Sequence, residues 1–204
     1  MKRELSFTHE FVPGSSGRTL FLLHGTGGNE HDLLPLGREL DPTAALLSPR
    51  GKVLENGNPR FFRRSAEGVF DLEDLKAQTD ALAEFVREAA RLYEFDLEKM
   101  AAVGYSNGAN IAASVLLRRP GVLRAAILLR AMVPLIPEEL PDLSGVEVWI
   151  AGGKHDAIIP PSDTEGLAEM LSDAGAKVTA HFFDAGHGLT NTELVLAKRW
   201  LEAR

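Results

Sequence analysis

The sequence predicts an α/β fold, a doubly wound and mostly parallel sheet with helices on both faces, and three observations predict it. Short β-rich runs alternate along the chain with segments of helical character, the succession that builds parallel sheets. These runs are mostly apolar throughout, as strands covered on both faces are. Glycine-bearing polar turns follow several of them, and ligand sites in this architecture lie beyond the carboxyl ends of the strands.

The first run, residues 19–23, leads into a glycine-rich loop, and a second strand is expected over 44–47. Between Asp71 and Phe95, apolar residues at Leu75, Leu82, Phe85, Val86, Ala89 and Tyr93 form a stripe of 3.6-residue period. That is one long amphipathic helix, with Asp71 as N-cap and Glu73 and Asp74 at its positive end. A strand over 100–103 precedes the apolar stretch 109–117, which has no polar face and is stopped by Arg118-Arg119-Pro120. It reads as a buried helix. Further strands are expected over 125–129, 146–151 and 178–183. Ser162 with Glu165, and Thr190 with Glu193, have the capping-box spacing, so helices should open there and end near Gly175 and the C-terminus.

A chain of 204 residues makes one domain, 1–204, without repeats or a separating linker. It should bury roughly 70% of the surface its unfolded form exposes, and its 45% apolar content supplies the core. Lys and Arg total 22 against 29 for Asp and Glu, a net charge of −7 that repels phosphate backbones, so nucleic acid is not an expected partner. Zero cysteines exclude disulfides, thiolate metal sites and a cysteine nucleophile. Residues 1–7 lack the apolar stretch of a signal peptide, and the run 125–129 is far short of the ~20 residues that span a bilayer. A cytoplasmic protein without membrane insertion is expected.

Gly104-Tyr105-Ser106-Asn107-Gly108 stands directly between a predicted strand and the buried helix. This G-x-S-x-G spacing suits a serine nucleophile on a tight, strained strand-to-helix turn, where side chains at the two flanking positions would meet backbone. A serine at its ordinary pKa needs a general base, and the base needs an orienting group. Asp156 and His187 lie just past the strands ending at 151 and 183, in the chain order Ser, Asp, His. Asp184 is the competing orienter, although so near to His187 it is better suited to bonding within its own turn. Near the N-terminus, His24-Gly25-Thr26-Gly27-Gly28 offers the backbone N–H of Thr26, to join that of Asn107 as an oxyanion hole. A phosphate-cradling loop fails on spacing, because G-x-G-x-x-G would need glycine at Glu30. His24 is read as a structural residue under that loop.

Together, residues 23–28, 104–108, 152–156 followed by Pro160, and 186–188 resemble the phospholipase/carboxylesterase branch of the α/β-hydrolases. That branch includes acyl-protein thioesterases and bacterial esterases related to proteins of hydroquinone and catechol pathways. Residues 47–51 and 59–64 resemble the bacterial esterases most. The resemblance implies an α/β-hydrolase fold, Ser106 as nucleophile, Asp156 and His187 as its partners, Thr26 and Asn107 as the oxyanion hole, and a homodimer. Where the thioesterase group typically carries Trp-Phe-Asp, this chain has Phe61-Phe62-Arg63. Arg60, Phe61, Phe62 and Arg63 are candidate substrate contacts, and Arg60, Arg63 and Arg64 either face an anionic substrate group or form a solvated basic surface.

The expected activity is hydrolysis of short-to-medium acyl esters, with thioesters open, through an acyl-enzyme and without a cofactor or metal. Two other classes remain. A catalytically silent binding or regulatory protein would need a disabled position among Ser106, Asp156 and His187, and none is disabled. A metal-dependent phosphohydrolase would draw on His31 and Asp32 with His24 or His155, which fall on different predicted loops without a ligand spacing. The insertion over 51–68 is too short for a helical lid, so the site should be open to solvent.

Overall fold

The computed structural model describes residues 5–66 and 68–204. Its seven-stranded sheet has the order β1-β3-β2-β8-β9-β10-β11, formed by β1 (His9–Val12), β2 (Thr19–Leu23), β3 (Ala45–Pro49), β8 (Met100–Tyr105), β9 (Ala125–Leu129), β10 (Glu147–Gly153) and β11 (Lys177–Phe183). All neighbouring pairs are parallel except β1, which pairs antiparallel with β3 at one edge. Among the described residues, five α-helices complete the layers: α1 (Leu34–Leu40), α2 (Leu72–Tyr93), α3 (Asn107–Arg118), α4 (Pro161–Asp173) and α5 (Asn191–Glu202).

The central strands read as unbroken apolar runs because each serves two cores. Successive side chains on a strand point to opposite faces, so Phe21, Leu47, Ala126, Leu128, Val148 and Ile150 pack toward α2, α3 and α4. Their alternates Leu20, Leu22, Leu46, Ile127, Leu129 and Trp149 pack toward α1 and α5. The stripe on α2 is buried as its period requires, and the Asp71 carboxylate accepts from the Asp74 N–H at its start. Helix α3 is buried over nearly its whole length. No helix among the described residues is long and apolar enough to cross a membrane.

Several elements differ from the sequence expectation. The half-buried β1 and the seven-residue α1, with Pro35 and Gly37 inside it, carry no periodic signal. Helix α4 opens at Pro160 and Pro161 with no side-chain cap, not at a Ser162 capping box, because a proline at the first helical position needs no N–H partner. At α5 the Thr190 hydroxyl accepts from the Glu193 N–H, and the Glu193 carboxylate accepts from that same hydroxyl at 3.1 Å and from the buried Arg130 guanidinium. The insertion after β3 folds as two small hairpins, β4 (Val53–Glu55) with β5 (Asn58–Arg60) and β6 (Arg64–Ala66) with β7 (Val69–Phe70).

Candidate active site

Strands β2, β8, β10 and β11 all end at the same edge of the sheet, and the predicted site residues follow them. Ser106 occupies the turn between β8 and α3 with φ 52° and ψ −114°, a strained conformation for a residue with a side chain. The turn is this tight because its flanks are glycines. A Cβ on Gly108 would lie 1.9 Å from the Leu23 carbonyl oxygen, and one on Gly104 would lie 2.6 Å from the Ala109 Cα.

The His187 Nε2 lies 3.0 Å from Ser106 Oγ, and its Nδ1 lies 2.8 Å from Asp156 Oδ2. An ionised carboxylate only accepts, so Nδ1–H donates to Asp156 and Nε2 is left to accept from the Ser106 hydroxyl. The other Asp156 oxygen accepts from the N–H groups of Ile158 (2.8 Å) and Ile159 (3.0 Å). Burial pushes the Asp156 carboxyl upward, but the Ile159 N–H, His187 and the Ile158 N–H outweigh it and hold the group below the usual carboxylate range. The Asp156 and His187 loops approach closely at Gly153, where a Cβ would lie 2.3 Å from the Gly186 carbonyl oxygen. Asp184 does not orient His187; it is exposed and lies 2.6 Å from the exposed His155.

Thr26 and Asn107 both line the cleft beside Ser106. Asn107 begins α3, where a backbone N–H has no intrahelical acceptor. Its side-chain oxygen accepts from the Phe61 N–H at 2.8 Å. The Thr26 loop is tied down by the Gly27 N–H, which donates to the Pro59 carbonyl at 2.9 Å.

The substrate-contact assignments divide. Arg60 and Arg64 line the cleft, and both are held by Glu55: Arg64 Nε lies 2.9 Å and Arg60 Nη1 3.4 Å from its oxygens. Arg60 Nη1 also donates to Thr26 Oγ1 at 2.8 Å. Phe61 and Phe62 are not surface contacts but core residues, Phe61 tilted against the His24 ring and Phe62 edge-on to Phe70. Arg63 faces away, exposed and paired with Asp71. Residues 61–62 form a bend and not a strand, so no simple alternation sends one of the two aromatics outward.

His24 is structural in its contacts. Its Nδ1–H donates to the Gly25 carbonyl (2.6 Å) and its Nε2 accepts from the Gly51 N–H (2.9 Å), and burial pulls its pKa below 6.5. His31 is exposed beside Glu30. Among the described residues, no three His, Asp or Glu side chains gather to hold a metal ion.

The cleft has a volume of about 370 Å³, and Gly68, Phe70, Tyr105, Asn110, Met132, Ile158 and Ile159 complete its lining. Sequence reasoning missed these. Ile158 and Ile159 had a signal, since an aspartate commonly bonds the N–H two residues on. The others come from the ends of β7 and β8, the β6–β7 turn, α3 and the loop after β9, segments that only the folded chain brings together.

The model of the dienelactone hydrolase family matches residues 55–197. "Putative hydrolase MhqD" of Bacillus subtilis (strain 168) is 50% identical over 192 residues, covering 94% of this chain and 96% of its own. The Bacillus cereus carboxylesterase structure superposes with a TM-score of 0.95 at 48% identity, over 97% of this chain and 94% of the other. YahD, whose structure was solved with malic acid, gives a TM-score of 0.91 at 33% identity, over 97% and 98%.

Proposed function

Because the chain belongs to the dienelactone hydrolase family of α/β-hydrolases and is a hydrolase of the carboxylesterase kind, we propose that it cleaves short-to-medium acyl esters, and thioesters by the same route, through an acyl-enzyme on Ser106. The observation that carries this reading is the hydrogen-bonded chain from Ser106 through His187 to buried Asp156 at the floor of an open cleft.

Ser106 Oγ attacks the acyl carbon as its proton passes to His187 Nε2. The carbonyl oxygen takes up the negative charge against the N–H groups of Thr26 and Asn107. Collapse of the tetrahedral species returns the Nε2 proton to the departing alkoxide or thiolate, leaving the acyl group on Ser106. Water then gives a proton to Nε2 and its oxygen to the acyl carbon, and the proton returns to Oγ as the acid leaves. Asp156 stays ionised throughout, steadying the imidazolium of each half-reaction.

A fluorophosphonate probe tests the reading. The expected adduct maps to Ser106 and disappears in Ser106→Ala, which also loses several powers of ten in kcat on a small activated ester while remaining folded. An adduct elsewhere, or a Ser106→Ala rate within about tenfold of wild type, refutes it.

Arg60 and Arg64 support a narrower substrate class, esters carrying a second, anionic group. Among the described residues, the two guanidiniums lining the cleft share one paired carboxylate, Glu55, and a relative at 33% identity was solved with a dicarboxylic acid. Arg64→Gln should lower kcat/KM for a dicarboxylate monoester by about tenfold and leave a neutral ester of equal length unchanged. Equal losses on both would remove the anionic preference. The proposal also includes a two-fold homodimer, the commonest oligomer of soluble proteins; light scattering at the monomer mass across working concentrations would exclude it.

A further inference from the structure

Arg130 follows β9 directly and is fully buried, as is its partner Glu193 in the first turn of α5. Its backbone is left-handed, with φ 58°, in a residue that is not glycine. Replacing a buried ion pair with apolar side chains is often neutral or stabilising, so stability alone does not account for these charges.

The hydrogen bonds of the guanidinium do account for them. Its five N–H groups meet five acceptors. Nη1 and Nη2 each donate to a Glu193 oxygen at 2.8 Å, and Nη1 reaches the Ala151 carbonyl at 3.3 Å. Nε donates to the Gly186 carbonyl (3.0 Å) and Nη2 to the Gly188 carbonyl (2.6 Å). The carbonyl between them, that of His187, accepts from the Tyr105 hydroxyl at 3.0 Å. Three successive carbonyls are therefore gripped from outside their own loop. The loop needs that grip, because both glycines have space for a side chain: a Cβ on Gly188 would meet nothing within 4 Å, and one on Gly186 only the His155 carbonyl at 3.7 Å. Neither glycine is demanded by a positive φ, so their backbone freedom is unrestrained by local sterics. Arg130 Nε also lies 3.9 Å from Asp156 Oδ2, the oxygen that accepts from His187.

We propose that Arg130, neutralised by Glu193, is a positioning residue for hydrolysis: it pins the peptide groups on both sides of His187 and so sets the imidazole between Ser106 and Asp156. The inference rests on the reading of Ser106 and His187 given above. It assigns to a pair remote from substrate a task that neither cleft lining nor sequence motif indicates.

The test is the double variant Arg130→Met/Glu193→Leu, which removes both charges together and leaves neither buried alone. It should unfold cooperatively near the wild-type Tm, keep KM for a small activated ester within about twofold, and lose about 10- to 100-fold in kcat, the scale of a misplaced catalytic group. Fluorophosphonate labelling of Ser106 should slow in parallel. A folded double variant with wild-type kcat, or with a loss confined to KM, overturns the proposal. Should that variant not fold, Arg130→Lys decides: an ammonium can pair with Glu193 but cannot span the Gly186 and Gly188 carbonyls. A kcat loss at unchanged KM supports the proposal, and wild-type kcat overturns it. Ser106→Ala is assayed alongside. If it stays active, the nucleophile reading has failed; if it is dead while the Arg130 variants are fully active, only the role of Arg130 has failed.

Discussion

Asp156 and Asp184 both lie in loops near His187, and their surroundings separate them. Asp156 is buried with its lone pairs used by two backbone N–H groups and the imidazole, whereas Asp184 is exposed beside His155. Asp156→Asn should therefore reduce kcat by about 10³ to 10⁴, because the amide no longer holds the productive tautomer, while Asp184→Asn stays within about twofold of wild type. A reversed order in steady-state assays would move the orienting role to Asp184. His24 carries a different consequence. Buried and neutral, it binds a proton less readily folded than unfolded, so its contribution is full above about pH 6.5 and is lost as pH falls toward its lowered pKa. Denaturant midpoints between pH 8 and 5 should fall in wild type and fall less in His24→Asn; identical slopes would refute this. Residues of this kind were legible where a motif names them, as with Ser106, Asp156 and His187. Arg130 and Glu193 were not, since a lone charge after a strand carries no signal and Glu193 reads as the capping-box partner of Thr190 until the sheet brings the two together.

Helix α2 was legible because one-sided burial imposes a period on it, and the central strands because burial on both faces leaves them as unbroken apolar runs. The hairpins β4–β5 and β6–β7 were not, since strands of two or three residues have no period to show and are defined by partners across the turn. The contact between α2 and α3 offers a test at this level. Thr79 donates to the Leu75 carbonyl and accepts from the Ser114 hydroxyl, each at 2.7 Å and fully buried. Thr79→Val leaves the Ser114 hydroxyl without this partner and should destabilise by about 1–3 kcal/mol. The double variant Thr79→Val/Ser114→Ala should be more stable than Thr79→Val alone, because no buried donor is then stranded. Chemical denaturation showing additive losses would mean that the two hydroxyls do not depend on one another.

Among the described residues, the elements are the sheet, its helices and two small hairpins, and the long connection over 130–146 carries neither helix nor strand. The cleft of about 370 Å³ is at the small end of ligand pockets, and no helical lid is inserted among the described residues. Acetyl to roughly octanoyl esters should be turned over best, since each further methylene gains ~0.8 kcal/mol only where there is wall to bury it against. A kcat/KM rising steadily to palmitoyl esters, or a jump in rate at the micellar threshold, would reveal an acyl groove or lid. The backbone at Ser106, finally, sets working against lasting. A side chain held at φ 52° and ψ −114° stores strain that glycine would not, even after its greater freedom in the unfolded chain is subtracted. Ser106→Gly should raise Tm by roughly 2–4 °C while abolishing hydrolysis, a balance that calorimetry reads directly. Laboratory evolution for heat resistance alone would then discard the hydroxyl among its first changes, and a library screened without an ester in the plate would climb toward sturdier, inert proteins.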